Sequence, residues 1–395
     1  MSNQPEKSIA VALLDALTSL KLAIVLLALL MVLVLACTLA QVDLGTHGAV
    51  ERYMRSWLVW WRPDGASSSI PVLPGGTPVG GLLIVNLSAA QIRKLQLNWR
   101  KAGLWLIHIG LILLVAGEFV SAMLQVDARL TFEEGHSANY VERTRQYEVA
   151  VVDTSDPKFD DEFGIPESLL RDGATLTIPR TPLQVKVVAY MRNSELRNRA
   201  DKDPKSNATA GVGPEITVQG LPPVTADDAQ DTPSAYIDVL AGGSSKGVFL
   251  LSAGISAVQG FSHGGRTYRL DLRLRREYLP YSLTLKDFSH DVYPGTDIPK
   301  NFSSLVRLLH PERGEDRTVL IYMNQPLRYE GRTFYQASFG KNDTMSVLQV
   351  VQNPGWLMPY VSCTLVTLGL LIHFGLSLGR LQRRQVRTAT AVGAT

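Results

Sequence analysis

Three stretches of this 395-residue chain, Leu22–Gln41, Ala102–Gly117 and Trp356–Gly379, contain no Asp, Glu, Lys or Arg. A hydrocarbon layer roughly 30 Å thick is crossed by about 20 mainly apolar helical residues, so runs of this kind exclude a plain cytosolic protein. The middle run continues past Glu118 through Phe119–Val126 and thereby reaches spanning length. Residues 127–352 have an ordinary soluble composition, and the mean hydropathy of the whole chain is only +0.06, which excludes a many-helix transporter. A few membrane spans and one large water-facing domain remain.

A fourth apolar segment, Ile70–Ile92, is weaker: it contains Asn86 and Ser88 and opens on a Pro/Gly-rich stretch from Pro74 to Gly81. Charge decides its reading. Arg93, Lys94, Arg100 and Lys101 follow it without an acid, and Arg380, Arg383, Arg384 and Arg387 end the chain in the same way. Short basic loops and tails face the cytoplasm, and two such clusters on one side require an even number of crossings. The expected order is a cytoplasmic N-terminus over 1–21, a span at 22–41, an outer loop at 42–69 and a span at 70–92. A cytoplasmic loop at 93–101, a span at 102–126, an extracytoplasmic (periplasmic) domain at 127–352, a span at 353–379 and a cytoplasmic tail at 380–395 complete it. This is a multi-pass protein of the cytoplasmic (inner) membrane with both termini inside. The first run is longer than the apolar core of a signal peptide, so it reads as a retained span. The two basic clusters leave residues 118–379 with a net charge of about −5, a poor balance for nucleic acid, which is excluded as a partner.

The large domain reads as antiparallel β. Short alternating segments recur at Ala128–Phe132, Tyr147–Val152, Leu183–Tyr190, Tyr236–Leu240, Thr267–Leu274, Ser282–Phe288, Ser304–Leu309, Thr318–Met323, Thr333–Phe339 and Val347–Val351. Gly, Pro, Asn and Asp separate them, the pattern of a sandwich or a barrel-like pair of sheets. Ser194–Pro233 is polar throughout and reads as a looped-out or disordered stretch. Both cysteines, Cys37 and Cys363, fall in apolar runs. The domain therefore has neither a disulfide framework nor a CxxC pair, and no His/Cys spacing points to zinc.

Five histidines, His47, His136, His263, His290 and His310, stand alone beside turn residues and read as exposed or locally bonded side chains. His108 and His373 lie inside apolar spans, where an ionisable group is costly and a functional role is the default hypothesis. Each is roughly 10 Å, at about 1.5 Å per residue, from its basic cluster. Two neutral imidazoles at one depth suit a haem iron held from both sides; the alternative is a hydrogen bond to a neighbouring helix. Gly103, Gly110 and Gly117 recur every seven residues and give the third span one smooth face for close packing. Trp57, Trp60, Trp61, Trp356 and Tyr360 read as interface anchors.

Toward the end of the β domain run Tyr293-Pro294-Gly295-Thr296 and Pro299-Lys300-Asn301-Phe302-Ser303-Ser304, then Met323-Asn324-Gln325-Pro326-Leu327 and Tyr329–Phe339 (YEGRTFYQASF). Asn353-Pro354-Gly355-Trp356 leads into the last span. Together with Trp105–Gly117 and the layout of three spans, a large domain and a final span, these segments resemble ResB, the large subunit of the System II cytochrome c synthase. The resemblance implies a partner of the ResC/CcsA type, an outward path for haem b, and its presentation to a CxxCH apocytochrome c. It implies a haem-ligating role for His108, whereas His373 has only its depth to support it. The family's tryptophan-rich haem motif belongs to the other subunit and is absent here, which implies a non-catalytic or co-catalytic subunit. Two rivals stand beside this reading: a membrane b-type cytochrome with His108 and His373 on one permanent haem, and a membrane-anchored scaffold that binds none.

Overall fold

The charge-free runs are helices. The structure, a computed structural model, describes residues 8–62, 68–93, 99–224, 230–295, 299–340 and 343–392. Lys94 and Thr296, used above, lie outside that set. The chain divides into a helical unit, Met1–Gln125 with Asn353–Thr395, and a β unit, Val126–Gln352.

In the helical unit a short α1 (Ile9–Leu17) precedes α2 (Leu20–Ala49), and α3 (Gly76–Arg93), α4 (Ala102–Leu124) and α5 (Met358–Val392) follow. Among the described residues, Leu20–Met54, Ala102–Leu124 and Met358–Arg383 are long and apolar enough to cross a membrane. The expected fourth span differs from its sequence reading. Ile70–Pro74 is not helical; it is strand β2, paired with β1 (Leu58–Trp61) in an antiparallel hairpin. Pro74 and Gly75 end that strand, and a side chain at Gly75 or Gly76 would collide with the backbone of Ser56 or Met54. The helix therefore starts at Gly76 and has 18 residues, about 27 Å at 1.5 Å per residue. Its polar residue is structural. Buried Asn86 donates from Nδ2 to Leu17 O (2.6 Å) and Ser19 O (3.2 Å), satisfying the carbonyls exposed where α1 turns into α2. Arg93 secures the same corner through Thr18 Oγ1 (2.8 Å) and Asp15 (2.5 Å).

The seven-residue glycine repeat does what its spacing predicts. A Cβ on Gly103 would stand 2.5 Å from His373 N and 2.6 Å from Gly369 O; one on Gly110 would meet Val366 Cγ2 at 2.7 Å, and one on Gly117 Met358 Cβ at 2.7 Å. Helices α4 and α5 are thus antiparallel and packed backbone to backbone, the approach that small residues permit in lipid. Gly375 has nothing within 4 Å of such a Cβ. Gly103→Val is accordingly expected to destabilise the detergent-solubilised protein by about 1–3 kcal/mol through overpacking and so lower its unfolding midpoint, while Gly375→Val leaves the midpoint unchanged. Equal midpoints for the two variants would contradict the seam. The far end of the pair is fastened by Asn353, whose Oδ1 accepts from Ser121 Oγ (3.0 Å) and Gly355 N (2.8 Å) while its Nδ2 donates to Gln125 Oε1 (3.3 Å).

The β unit runs β3 (Val126–Glu133), β4 (Ser137–Asp153), β5 (Asp161–Pro166), β6 (Thr175–Thr177), β7 (Leu183–Met191), β8 (Ser194–Asn198), β9 (Ile216–Gly220), β10 (Ser234–Ala241) and β11 (Ser244–Ser252). It continues through β12 (Gln259–His263), β13 (Arg266–Val292), β14 (Pro299–His310), β15 (Glu315–Tyr322), β16 (Leu327–Tyr329), β17 (Arg332–Gly340) and β18 (Met345–Gln352). Two predicted segments, Thr267–Leu274 and Ser282–Phe288, belong to the single 27-residue strand β13. Strands β4 and β13 are long enough to serve two cores. Their first shared stretch, with β5 and β12, lies against the separate sheet β11-β10-β7-β6 as a sandwich, filled by Val149, Ile165, Val185, Ile237, Leu251 and Leu270. Their other ends join β15-β14-β13-β4-β3-β18-β17-β16, which curls around Leu130, Tyr281, Leu283, Val306, Phe334 and Leu348. Its edges meet at a bridge between Tyr322 and Gln325, and inside it Ser304 Oγ reaches Gln336 Oε1 and Ser346 Oγ, both at 2.7 Å.

Where the two cores adjoin, the β4–β13 register slips twice, between Leu274 and Arg276 and between Tyr278 and Leu283, and Arg145 takes a positive φ of 61°. These bulges bend both strands. The polar stretch expected to loop out is partly ordered: Ser194–Asn198 and Ile216–Gly220 pair as a hairpin. Asp203 holds it by accepting from Ala200 N (2.8 Å), Arg197 and Thr217 Oγ1 (3.2 Å). The family-like Tyr329–Phe339 run is a hairpin whose two-residue loop puts Glu330 and Gly331 at φ 49° and 71°. That is the primed turn matching strand twist, and its second residue favours glycine.

Candidate functional site

Helix α4 carries His108 on an otherwise apolar surface. At 100° per residue, His108 lies about 160° around the helix from Gly110 and the α5 seam, and within about 20° of the direction of Phe119. Phe119 meets α3, its ring 3.6 Å from the Cβ position of Gly80. The imidazole is exposed on this face. Its Nδ1 stands 2.7 Å from Leu104 O, one turn back. A carbonyl can only accept, so Nδ1 carries the proton of this bond, and a neutral ring in that tautomer would leave Nε2 without a hydrogen. A neutral imidazole needs no counter-ion in lipid, and a free Nε2 lone pair is what an iron or a hydrogen-bond donor takes.

His373 is placed differently. Ser362, Val366, Gly369 and His373 follow one another along the face of α5 that packs on α4, and the His373 backbone lies against Gly103. Its ring is half-buried, 5.8 Å from that of Phe374. His373 is thus level with Gly103, five residues and about 7 Å along the axis from His108, and on the seam rather than opposite it. The shared depth and facing geometry expected from sequence are not what α4 and α5 form. No group of three His, Cys, Asp or Glu with metal-holding geometry occurs among the described residues.

The β unit holds a second concentration of chemistry, in the bend between its cores. Arg273, whose side chain is 9% exposed, pairs through Nε with Glu148 Oε1 at 3.2 Å and through Nη2 with Glu162. Arg276 reaches Glu162 Oε1 at 3.5 Å and stacks 4.0 Å over the Tyr140 ring. Arg143 (2.7 Å) and Arg332 share Glu277. Burial opposes the charge on Glu162 and Glu277, yet the arginines, with Tyr278 on Glu162, hold both carboxyls below their usual range. Gly164 makes room: a Cβ there would run into the Glu148 carboxylate. His310 corrects its sequence reading. It is 3% exposed, its ring 6.0 Å from Tyr281, and its Nδ1 and the Tyr281 hydroxyl have no hydrogen-bond partner among the described residues. Burial pushes the Tyr281 phenol up to about 12. His290 is largely buried too, with Nδ1 3.2 Å from Asp343 Oδ1. Sequence reasoning missed these groups; the one signal was the run Arg273, Arg275, Arg276, Glu277 inside an alternating strand pattern.

Fold and helices define a membrane protein that carries a large all-β domain. Residues 234–347, from β10 into β18, match the sequence model of the ResB-like family. The chain is also similar to Protein NrfI of Wolinella succinogenes, 34% identical over 112 residues, which make up 27% of this chain and 12% of that protein.

Proposed function

We propose that this chain is a membrane subunit of a System II cytochrome c synthase. Beside a ResC/CcsA-type partner it helps move haem b across the membrane, as cargo, and presents it to apocytochrome c for covalent attachment. The ResB-like match over 234–347 carries the reading. The helical unit supports it with the imidazole of His108, exposed on α4, whose Nδ1 is bonded to Leu104 O and whose Nε2 has no hydrogen-bond partner among the described residues. In this role His108 Nε2 would hold the haem iron during transfer, and the Nδ1 bond to Leu104 O would fix the tautomer and the ring orientation, as outer partners do at other metal sites. His373 serves the α4–α5 seam. The topology is four crossings with α3 as the second, both termini cytoplasmic and the β unit outside.

Thioether formation adds two cysteine S–H groups across two haem vinyls and needs reduced thiols, reduced iron and a dry site. Cys37 and Cys363 both lie in membrane helices, so the β unit receives a thiol-bearing polypeptide without offering it a mixed disulfide. The test is co-purification. The tagged chain, co-expressed with a ResC/CcsA-type protein, is expected to bring that protein and a haem absorption band out of the membrane. A chain that recovers neither would refute the proposal.

A further inference from the structure

Strand β5 (Asp161–Pro166) is an edge with a cavity on each side of it. It pairs with β4 alone, from Asp153↔Asp161 to Glu148↔Pro166, and no other described strand pairs with its second side. Side chains alternate along a strand, so its two faces present different residues. On the face shared with Val151 and Tyr268, a cavity of about 460 Å³ is lined by Asp153, Phe163, Arg180 and Arg266. On the opposite face, a cleft of about 580 Å³ is lined by Tyr140, Lys158, Phe159, Arg269, Arg276 and Tyr278, with Asp160 and Glu162 on its β5 side. Phe159 is 73% and Tyr278 50% exposed.

Of the other edges, β11 is bridged by Ala210, β15 meets the turn before β16 and β6 has three residues; β8, β9 and β12, of five residues each, also pair on one side alone, but β5 is the longer strand and has a cavity on each face. A row of unpaired backbone groups with pockets for alternate side chains is the arrangement by which sheets bind an added strand: main-chain bonds give affinity and the pockets give selectivity. The six residues of β5 extend about 20 Å and match a five- to seven-residue extended segment. The outer cleft has more cations than acids, and Glu162 is already committed to Arg273 and Arg276. It therefore suits an apolar side chain flanked by a carboxylate.

We propose that the open edge of β5 is the docking strand for an extended segment of an unfolded partner polypeptide, which seats one apolar side chain in the outer cleft against Phe159, Tyr278 and Arg276. This rests on the function proposed above in taking that polypeptide to be an apocytochrome c. The test is amide hydrogen exchange on the full-length protein in detergent with two probes: a haem-free c-type cytochrome polypeptide, and a reduced, alkylated unfolded polypeptide with no Cys-x-x-Cys-His segment. With the first, exchange over 161–166 is expected to slow in proportion to saturation, about a hundredfold at a free concentration one hundred times Kd. Phe159→Ser removes an exposed side chain and is expected to weaken binding roughly 10- to 100-fold. Binding that leaves exchange at 161–166 unchanged, binding that ignores Phe159→Ser, or no binding of either probe overturns the docking strand. Protection of 161–166 by the second probe and not the first upholds the strand and refutes the cytochrome reading.

Discussion

Replacing His108 by alanine is expected to strip haem from the complex formed with a ResC/CcsA-type partner, while His373→Ala leaves it bound. The asymmetry follows from placement. His108 has one ring nitrogen tied to Leu104 O at 2.7 Å and the other free, whereas His373 packs by its backbone against Gly103. Disturbing an outer partner of a metal ligand typically costs about 10- to 100-fold in affinity. Loss of the ligand itself should exceed that, so the absorption band at fixed protein should fall by more than about tenfold. The His108 side chain is exposed on α4, so His108→Ala is expected to leave the unfolding midpoint near that of the wild type. Added imidazole should restore part of the band. Equal haem in both variants would remove His108 from the path; loss in both would restore the paired-histidine reading of a b-type cytochrome.

Arg273→Met is expected to be the most destabilising single change in the β unit. It leaves the carboxylates of Glu148 and Glu162, 7% and 14% exposed, without their shared cation. Breaking a buried pair from one side costs about 3–5 kcal/mol, which in a domain of this size is roughly 6–20 °C in Tm. Arg266, 58% exposed and paired with Asp153 at 2.9 Å, provides the contrast: Arg266→Met should cost about 1 kcal/mol or less. The triple change Arg273→Met, Glu148→Gln, Glu162→Gln should recover much of the loss. Acid supplies a second readout. Arg273 and Tyr278 hold the Glu162 pKa below its ordinary value against the opposing effect of burial. A depressed carboxyl stabilises the fold above its unfolded pKa, near 4.3, and loses that contribution as pH falls through the folded value. Wild-type Tm should therefore drop below about pH 4.3, and the gap to Arg273→Met should narrow there. A gap independent of pH would show that the arginine acts through packing alone.

Much of the helical unit was legible because lipid imposes a simple rule: charge must leave a spanning segment. The runs at 22–41, 102–117 and 356–379 begin within two residues of α2, α4 and α5, which continue past them by 8, 7 and 13 residues, and the glycine repeat marked a seam that α5 fills. The second expected span was overextended because apolar content cannot separate the β1–β2 hairpin from the helix that follows; Trp57, Trp60 and Trp61 read as anchors and hid a strand. Alternation located the central strands of the β unit. It missed β5, β6, β8, β9, β11, β12 and β16: most are short, edge or polar strands such as the Asp203-held β8–β9 hairpin, and β11 buries Phe249, Leu250 and Leu251 as a continuous run that does not alternate. The charged bend was illegible for a different reason. Glu148 and Arg273 are 125 residues apart, and only the register slips of β4 and β13 bring them together. His310 shows the same limit: a proline beside it suggested a surface turn, while the curl of the sheet placed its ring against Tyr281.

The most direct test of the central claim is covalent haem attachment in a bacterial host deleted for its own cytochrome c maturation genes. This chain, a ResC/CcsA-type protein and a CxxCH apocytochrome are expressed together, and the denatured apocytochrome is stained for haem after electrophoresis. The account predicts a haem-stained band with all three and none when this chain is omitted. An equally intense band without it would contradict a role for the chain in cytochrome c assembly.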